Sequence, residues 1–404
     1  WTEVFSAQGV MGYDAGPVAK TETFDVAVVG AGVFGSWITL HLARRRQRVL
    51  VLDAYGPANS RASSGGESRI IRMGYGPDEL YTRWAMRSLA QWKDLFGTSS
   101  PALFHESGVL WVASEGEAPL ADMTAVLTRC GVAFETLDSG AMAQRYPQFS
   151  PQNLIGGVLE TTSGVLMGRR AVAATLERAV SHGAEYRHAH ITPPTVDSSG
   201  STLHKVTTAS GEEISAGQFV FACGAWLGKI FPELLGPRIF PSRQEVFFFG
   251  VPPGDMNFDA RSLPTWLIPA EETYGMPDLE SRGFKIAFDG HGECVDPDTQ
   301  SRVVSKESTE RVRAYVAKRF PALRDAPIVE TRVCQYENTS TGDFLIDRHP
   351  RMNNVWFAGG GSGHGFKHGP MVGEYVAQQL LDGGAAEPRF ALANKATVQK
   401  RAVY

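Results

Sequence analysis

The sequence predicts an α/β fold built around a dinucleotide-binding βαβ unit, with an antiparallel sheet set outside it. Three observations lead there. Residues 24–53 read as strand, glycine-rich turn, helix and strand. Residues 355–381 repeat the order strand, glycine-rich loop and helix near the other end of the chain. Between them, the aromatic and β-rich segments 238–250, 266–269 and 283–288 have the character of an antiparallel sheet.

Residues 24–29, Phe-Asp-Val-Ala-Val-Val, form a buried strand, 35–46 a helix with Trp37 and Leu40 on its apolar side, and 49–52 a second buried strand. Gly30 permits the sharp exit from the strand, Gly32 lets a pyrophosphate approach the backbone, and Gly35 lets the helix pack close to the sheet. The helix N-terminus then faces the phosphates. Asp53, ending the second strand, is placed to accept hydrogen bonds from a ribose diol. A loop of small and polar residues, 59–68, runs into Arg69-Ile70-Ile71-Arg72. The two arginines are expected to face a buried anionic partner from one side of a helical turn; a plain linker is the alternative. Residues 81–96 form an amphipathic helix whose stripe of Tyr81, Trp84, Leu89, Trp92 and Phe96 belongs to the core.

From 106 to 160 short strands alternate with a helix at 120–130, and 169–182 is a further helix stopped by Gly183. Strands near 185–190 and 203–209 lead to an apolar strand that breaks at Gly224, a second place where backbone can approach a cofactor closely. A packed strand end is the alternative there. Ser308 can cap a helix carrying Val312, Val316 and Phe320, which stops at Pro321, and 328–335 is a strand. The strand 355–358 and the loop from Gly359 to Gly369 precede a helix opened by Pro370. Strand, glycine-rich loop and helix start again make an anion-friendly corner.

The 404 residues suffice for two domains with a sizeable core. With 39 basic and 43 acidic residues spread without long like-charge blocks, the net charge of −4 indicates no nucleic-acid partner and no acidic tail. Cys130, Cys223, Cys294 and Cys334 lie far apart without a Cys-x-x-Cys pair, so no metal site is expected, while a disulfide stays open. No apolar run approaches the roughly 18 to 20 residues that span a bilayer, so a soluble protein without a membrane span is expected. A cytoplasmic location is favoured; because the chain begins at Trp1, an exported mature form is the alternative.

Five blocks carry a resemblance over residues 24–381: Val-Val-Gly-Ala-Gly at 28–32, Ser-Arg-Ile-Ile-Arg at 68–72, Gly-Ala-Trp at 224–226, Cys-Gln-Tyr at 334–336 with Phe-Leu-Ile-Asp-Arg-His-Pro at 344–350, and Ser-Gly-His-Gly-Phe-Lys at 362–367. They resemble the sarcosine oxidase-like amine oxidoreductases, the monomeric sarcosine oxidase and N-methyltryptophan oxidase family of the D-amino-acid-oxidase/glycine-oxidase fold group. The resemblance implies FAD as cofactor, held by Gly30, Gly32, Gly35, Asp53, Gly224, Gly361, Gly363, Phe366 and Lys367 and covalently attached through Cys334. A buried strand thiol is the alternative for Cys334. It further implies that Arg69 lies against the flavin, that Lys285 marks the site of oxygen reduction, and that Tyr336 and His364 stand close to substrate and flavin. Arg72 and Lys367 match a pair gripping the substrate carboxylate. Two positions depart from the family pattern: Asp289 replaces a histidine four residues after Lys285, and Ser64-Gly65 stands where histidines are usual. Asp289 is an even step from Lys285, hence expected on the same strand face, either paired with that lysine or aimed at the substrate.

The implied architecture is a doubly wound, Rossmann-like FAD-binding domain of glutathione-reductase type, interleaved with an antiparallel-sheet substrate domain. Its segments are an N-terminal arm at 1–23, FAD-binding segments at 24–105, 161–235 and 334–390, substrate-domain segments at 106–160 and 236–333, and a tail at 391–404. The implied activity is oxidation of a secondary amine, an N-alkyl amino acid, to an imine that hydrolyses, with O₂ reduced to H₂O₂. The alternatives are a dehydrogenase using a carrier or quinone, and a flavin-retaining binding protein without turnover. Expected partners are a small amine with a carboxylate and O₂; the oligomeric state is left open, a monomer being compatible.

Overall fold

The structure is a computed structural model that describes residues 23–97, 102–115, 120–195, 200–290 and 292–399. The expected N-terminal arm, apart from Thr23, and the last residues of the tail lie outside them.

Phe24–Val29 lies at the centre of a seven-stranded sheet, parallel to Val49–Asp53 on one side and Glu213–Phe221 on the other. Glu185–His188 and Val355–Gly359 extend it outward in the same direction, and Leu345–Arg348 and Lys205–Thr207 add antiparallel strands. Strands buried on both faces read as unbroken apolar runs, because successive side chains point to opposite sides. Here Val26, Val28, Val49 and Val51 meet the helices, while Ala27, Val29, Leu50 and Leu52 pack with Phe219, Phe221, Leu227 and Phe231 beneath. The helix Val33–Arg44 packs against Gly168–Ser181 and Gly369–Leu381.

The second sheet has eight strands, in the order Ile328–Asn338, Phe240–Phe249, Phe284–Phe288, Thr273–Met276, Thr265–Ile268, Val109–Ser114, Leu154–Glu160 and Phe134–Asp138. It is antiparallel except at one junction, where Thr265–Ile268 runs parallel to Val109–Ser114. Ile328–Asn338 pairs with Phe240–Phe249 along its length, so the segment boundary placed at 334 falls within a strand of this sheet.

Two local expectations need correction. Arg69–Ile71 is not a helical turn but a strand, paired with Gly164–Leu166 in a small three-stranded sheet. The helix Lys306–Arg319 is capped by Ser305, whose Oγ accepts from the Ser308 backbone N–H at 2.9 Å; Ser308 occupies the third helical position. No two of the four cysteines are joined in a disulfide.

Candidate functional site

The parallel strands deliver their carboxyl ends to one edge of the sheet, where the chain leaves Val29, Asp53, Phe221 and Gly359 for loops; open α/β sheets bind ligands in that crevice. At Gly30 φ is +104°, and a Cβ there would lie 2.3 Å from the Ala222 carbonyl oxygen, so only glycine makes the turn. A Cβ on Gly35 would lie 1.8 Å from the Gly30 oxygen, which is why the helix can sit against the strand exit. Gly32 starts the helix in extended conformation. Asp53 accepts from the Ala31 N–H at 2.7 Å and the Tyr55 N–H at 2.8 Å, so its carboxylate is aimed at the turn, and burial pushes its pKa up.

From this turn one cavity continues past Gly224 to Gly361, Gly363 and the turn Phe366–His368. Gly30, Gly32, Asp53, Gly224, Cys334, Phe366 and Lys367 line it, together with Arg69, Arg72, Lys285, Asp289, Tyr336 and His364. Gly35 stands behind the strand exit. Gly363 has φ +77°, and a Cβ there would lie 2.9 Å from the Tyr336 ring, so the loop approaches that tyrosine as closely as a backbone can. The Cys334 thiol faces the Ser63 carbonyl oxygen at 3.6 Å.

Arg69 and Arg72 diverge, as strand geometry requires of residues three apart. Arg69 donates to the carbonyls of Ser68 at 2.8 Å and Ser63 at 2.6 Å and lies 5.6 Å from the Phe366 ring centre, pinning the loop 59–68. Arg72 is buried between the rings of Tyr75 and Trp111, at 4.5 and 4.6 Å, and donates to the Gly74 carbonyl. Lys367 is buried too, donating to the Tyr75 hydroxyl at 2.9 Å and the His364 carbonyl at 3.1 Å. Its pKa is held well below the ordinary lysine value by burial first and by Arg72 second. His364 Nε2 lies 3.0 Å from the Gly342 carbonyl, so it donates there, and Nδ1 lies 3.3 Å from the Tyr75 hydroxyl.

Lys285 is buried. Its Nζ donates to the Ser68 carbonyl at 3.1 Å and to Ser68 Oγ at 3.2 Å. Burial, with Arg69, Arg332 and Arg282 nearby, pushes its pKa far down. Asp289 follows the strand Phe284–Phe288 and pairs with Tyr336, whose hydroxyl donates to Oδ1 at 2.7 Å, rather than with Lys285.

Several groups at the site carry no local signal in the sequence. Glu160 is fully buried behind Arg72 and accepts from the N–H groups of Met73 and Gly74 at 2.6 and 2.8 Å and from Trp111 Nε1 at 2.7 Å. Tyr75 links Lys367, His364 and His368. Glu337, next to Tyr336 in the quoted block, accepts from the Gly360 N–H at 2.8 Å, and burial raises its pKa to about 7.

The sequence profile of the FAD dependent oxidoreductases matches residues 25–379, most of the chain. The chain belongs to that family. Monomeric sarcosine oxidase of Bacillus sp. (strain B-0618) is 31% identical over 366 residues, 89% of this chain and 93% of that protein. N-methyl-L-tryptophan oxidase of Salmonella arizonae is 27% identical over 371 residues, covering 89% and 95%. Among solved structures, L-proline dehydrogenase from P. horikoshii superposes with a TM-score of 0.80 at 22% identity, covering 92% of this chain and 98% of that one. Fructosamine oxidase from Aspergillus fumigatus gives 0.77 at 22%, covering 94% and 93%. These two establish the fold. The resemblance read from the five blocks therefore holds, and this family member is an FAD-dependent oxidoreductase. Its residues fit the cofactor: the turn at Gly30 leaves no room for a side chain, Asp53 stands beside it, and the cavity runs from there to the buried cations. No group of three or more His, Cys, Asp or Glu suited to a metal occurs among the described residues, and no described helix is long and apolar enough to cross a membrane.

Proposed function

We propose that the protein oxidises a secondary amine bearing a carboxylate, an N-alkyl amino acid, to an imine that hydrolyses, with O₂ reduced to H₂O₂. The observation that carries this reading is the pair of buried cations, Arg72 and Lys367, in the same cavity as Lys285 and Asp289. Two cations removed from water need an anion to offset their desolvation, and a substrate carboxylate supplies it. The planar guanidinium of Arg72, gripped by Tyr75 and Trp111, orients that carboxylate, while Lys367 adds a point charge. The names of the relatives, sarcosine oxidase and N-methyl-L-tryptophan oxidase, favour an N-methyl or N-alkyl amino acid. FAD, when bound, supplies the two-electron chemistry and passes the electrons on to oxygen. We assign its covalent attachment to Cys334, the contact along its ring to Arg69, the oxygen side to Lys285, and the substrate side to Tyr336, His364 and Asp289.

The test is anaerobic bleaching of the flavin by N-alkyl amino acids and by matched amines lacking the carboxylate. The carboxylated amines should bleach it and the others should not. Arg72→Ala should weaken carboxylate ligands roughly 10- to 100-fold, the worth of a charged hydrogen bond. Equal bleaching by amines without a carboxylate would refute the clamp, and air reoxidation without peroxide would refute oxygen as the acceptor.

A further inference from the structure

We propose that Asp289 accepts the proton that the substrate amine must shed before it is oxidised, with Tyr336 orienting the carboxylate; this rests on the amine-oxidation reading above. An ammonium nitrogen has no lone pair with which to form C=N. An amino acid arriving as a zwitterion must therefore lose one N–H proton inside the site. In the step assigned here the N–H bond breaks, its electron pair stays on nitrogen, and the proton forms an O–H bond with Asp289. After product leaves, that proton returns to solvent.

Four carboxylates line the cavity, and three are already engaged. Asp53 and Glu337 accept from backbone N–H groups, and Glu67 faces Arg170 and Arg282 at 3.9 and 3.7 Å. In Asp289, Oδ1 takes the Tyr336 hydroxyl at 2.7 Å, and the other oxygen has no partner among the described residues. Glu160 is filled by Met73, Gly74, Trp111 and Ser163, and Glu272, whose backbone carbonyl accepts from the Asp289 N–H at 2.6 Å, does not line the cavity.

The groups facing Asp289 set its proton affinity in a definite order. Burial raises it most, the Tyr336 hydrogen bond, Arg72 and Lys367 lower it, Glu272 raises it, and the result is about 6. Tyr274 and Tyr336 are themselves pushed up by burial and by Asp289, so both stay protonated and cannot take the proton instead. Lys285, on the strand that Asp289 follows, is turned to Ser68. Removing water from an ammonium and a carboxylate lowers the first pKa and raises the second, so desolvation itself drives the pair toward neutrality. A base titrating just below neutrality is ionised when needed and still able to hold the proton.

The measurement is the stopped-flow rate of anaerobic flavin reduction, at saturating carboxylated amine, from pH 5 to 10. Wild type should lose rate on the acid side near pH 6, and Asp289→Asn should be slower at pH 7 by about 100-fold or more. In the variant the acid limb should move up to the ionisation of the amine itself, with rate recovered above it. A second readout needs no turnover. Acetate binding, followed by the flavin absorption of the oxidised holoprotein, should weaken as pH rises through about 6 in wild type, because ionised Asp289 repels the ligand. Asp289→Asn should bind acetate without that step, showing an intact clamp. In Tyr336→Phe the step should move to higher pH, since the lost hydrogen bond had favoured the ionised form. An unmoved step removes the orienting part of Tyr336, and identical rate profiles in wild type and Asp289→Asn overturn the base. If no carboxylated amine bleaches wild type, the amine reading itself falls and takes this assignment with it.

Discussion

At the scale of single residues, the site is a place where burial and charge oppose each other, and Glu337 makes that measurable. Its folded-state pKa is raised from 4.5 to about 7, so the native state holds this proton more tightly than the unfolded chain does. Below pH 4.5 both states are protonated and there is no penalty; as pH rises toward 7 the unfolded chain gains by ionising first, and stability is lost across that window. The shift corresponds to about 3 kcal/mol. Glu337→Gln removes the titration and still offers an oxygen to the Gly360 N–H. Its denaturant midpoint should match wild type near pH 4.5 and exceed it at pH 8; parallel curves would show that the carboxyl is solvated. This group follows directly on the Cys-Gln-Tyr block, yet nothing local singles it out, because its burial comes from Gly224 and Gly359 meeting it from other parts of the chain. Asp53 and the glycines at 30, 32 and 35 were legible for the opposite reason: turn, strand end and helix start are consecutive, so their chemistry is written in one short stretch.

At the scale of elements, the sequence is ambiguous where two local grammars compete. Ser305 and Ser308 both precede the apolar positions Val312 and Val316, and only geometry separates cap from helix. Ser305 has the extended backbone of a cap, with φ −75° and ψ 157°, and its hydroxyl accepts from the third helical residue. Ser305→Ala should cost about 1 kcal/mol in equilibrium unfolding while Ser308→Ala costs much less; the reverse order would return the cap to Ser308. The short strand Arg69–Ile71 also fits a helical turn, because apolar residues flanked by arginines satisfy both periods. What decides it is the partner strand Gly164–Leu166, far away in sequence. The consequence is functional: as a strand, the segment sends Arg69 to Phe366 and Arg72 to Tyr75 and Trp111, so one sequence block serves two different ends of the cavity wall.

At the scale of the whole molecule, the cavity is bounded by both large sheets, and Ile328–Asn338 is the strand of the eight-stranded sheet that brings Cys334, Tyr336 and Glu337 to it. If Cys334 carries the flavin, acid-denatured wild-type protein should stay yellow in the pellet and Cys334→Ser should release its colour to the supernatant. Colour in the wild-type supernatant would refute the attachment. The division into two sheets was visible in the sequence as apolar runs against aromatic, alternating segments, whereas the parallel junction of Thr265–Ile268 with Val109–Ser114 was not, since pairing direction leaves no trace in either strand alone. The same interleaving governs how the protein is made. The first two strands of the nucleotide sheet end at Asp53, but the strand flanking Glu213–Phe221 on its far side finishes only at Gly359. From the end of Glu213–Phe221 to Gly359 a ribosome working at about 5–20 residues per second needs roughly 7 to 28 seconds. Throughout it the edge of Glu213–Phe221 lacks that neighbour, so the nucleotide sheet stays incomplete until Gly359 has been made.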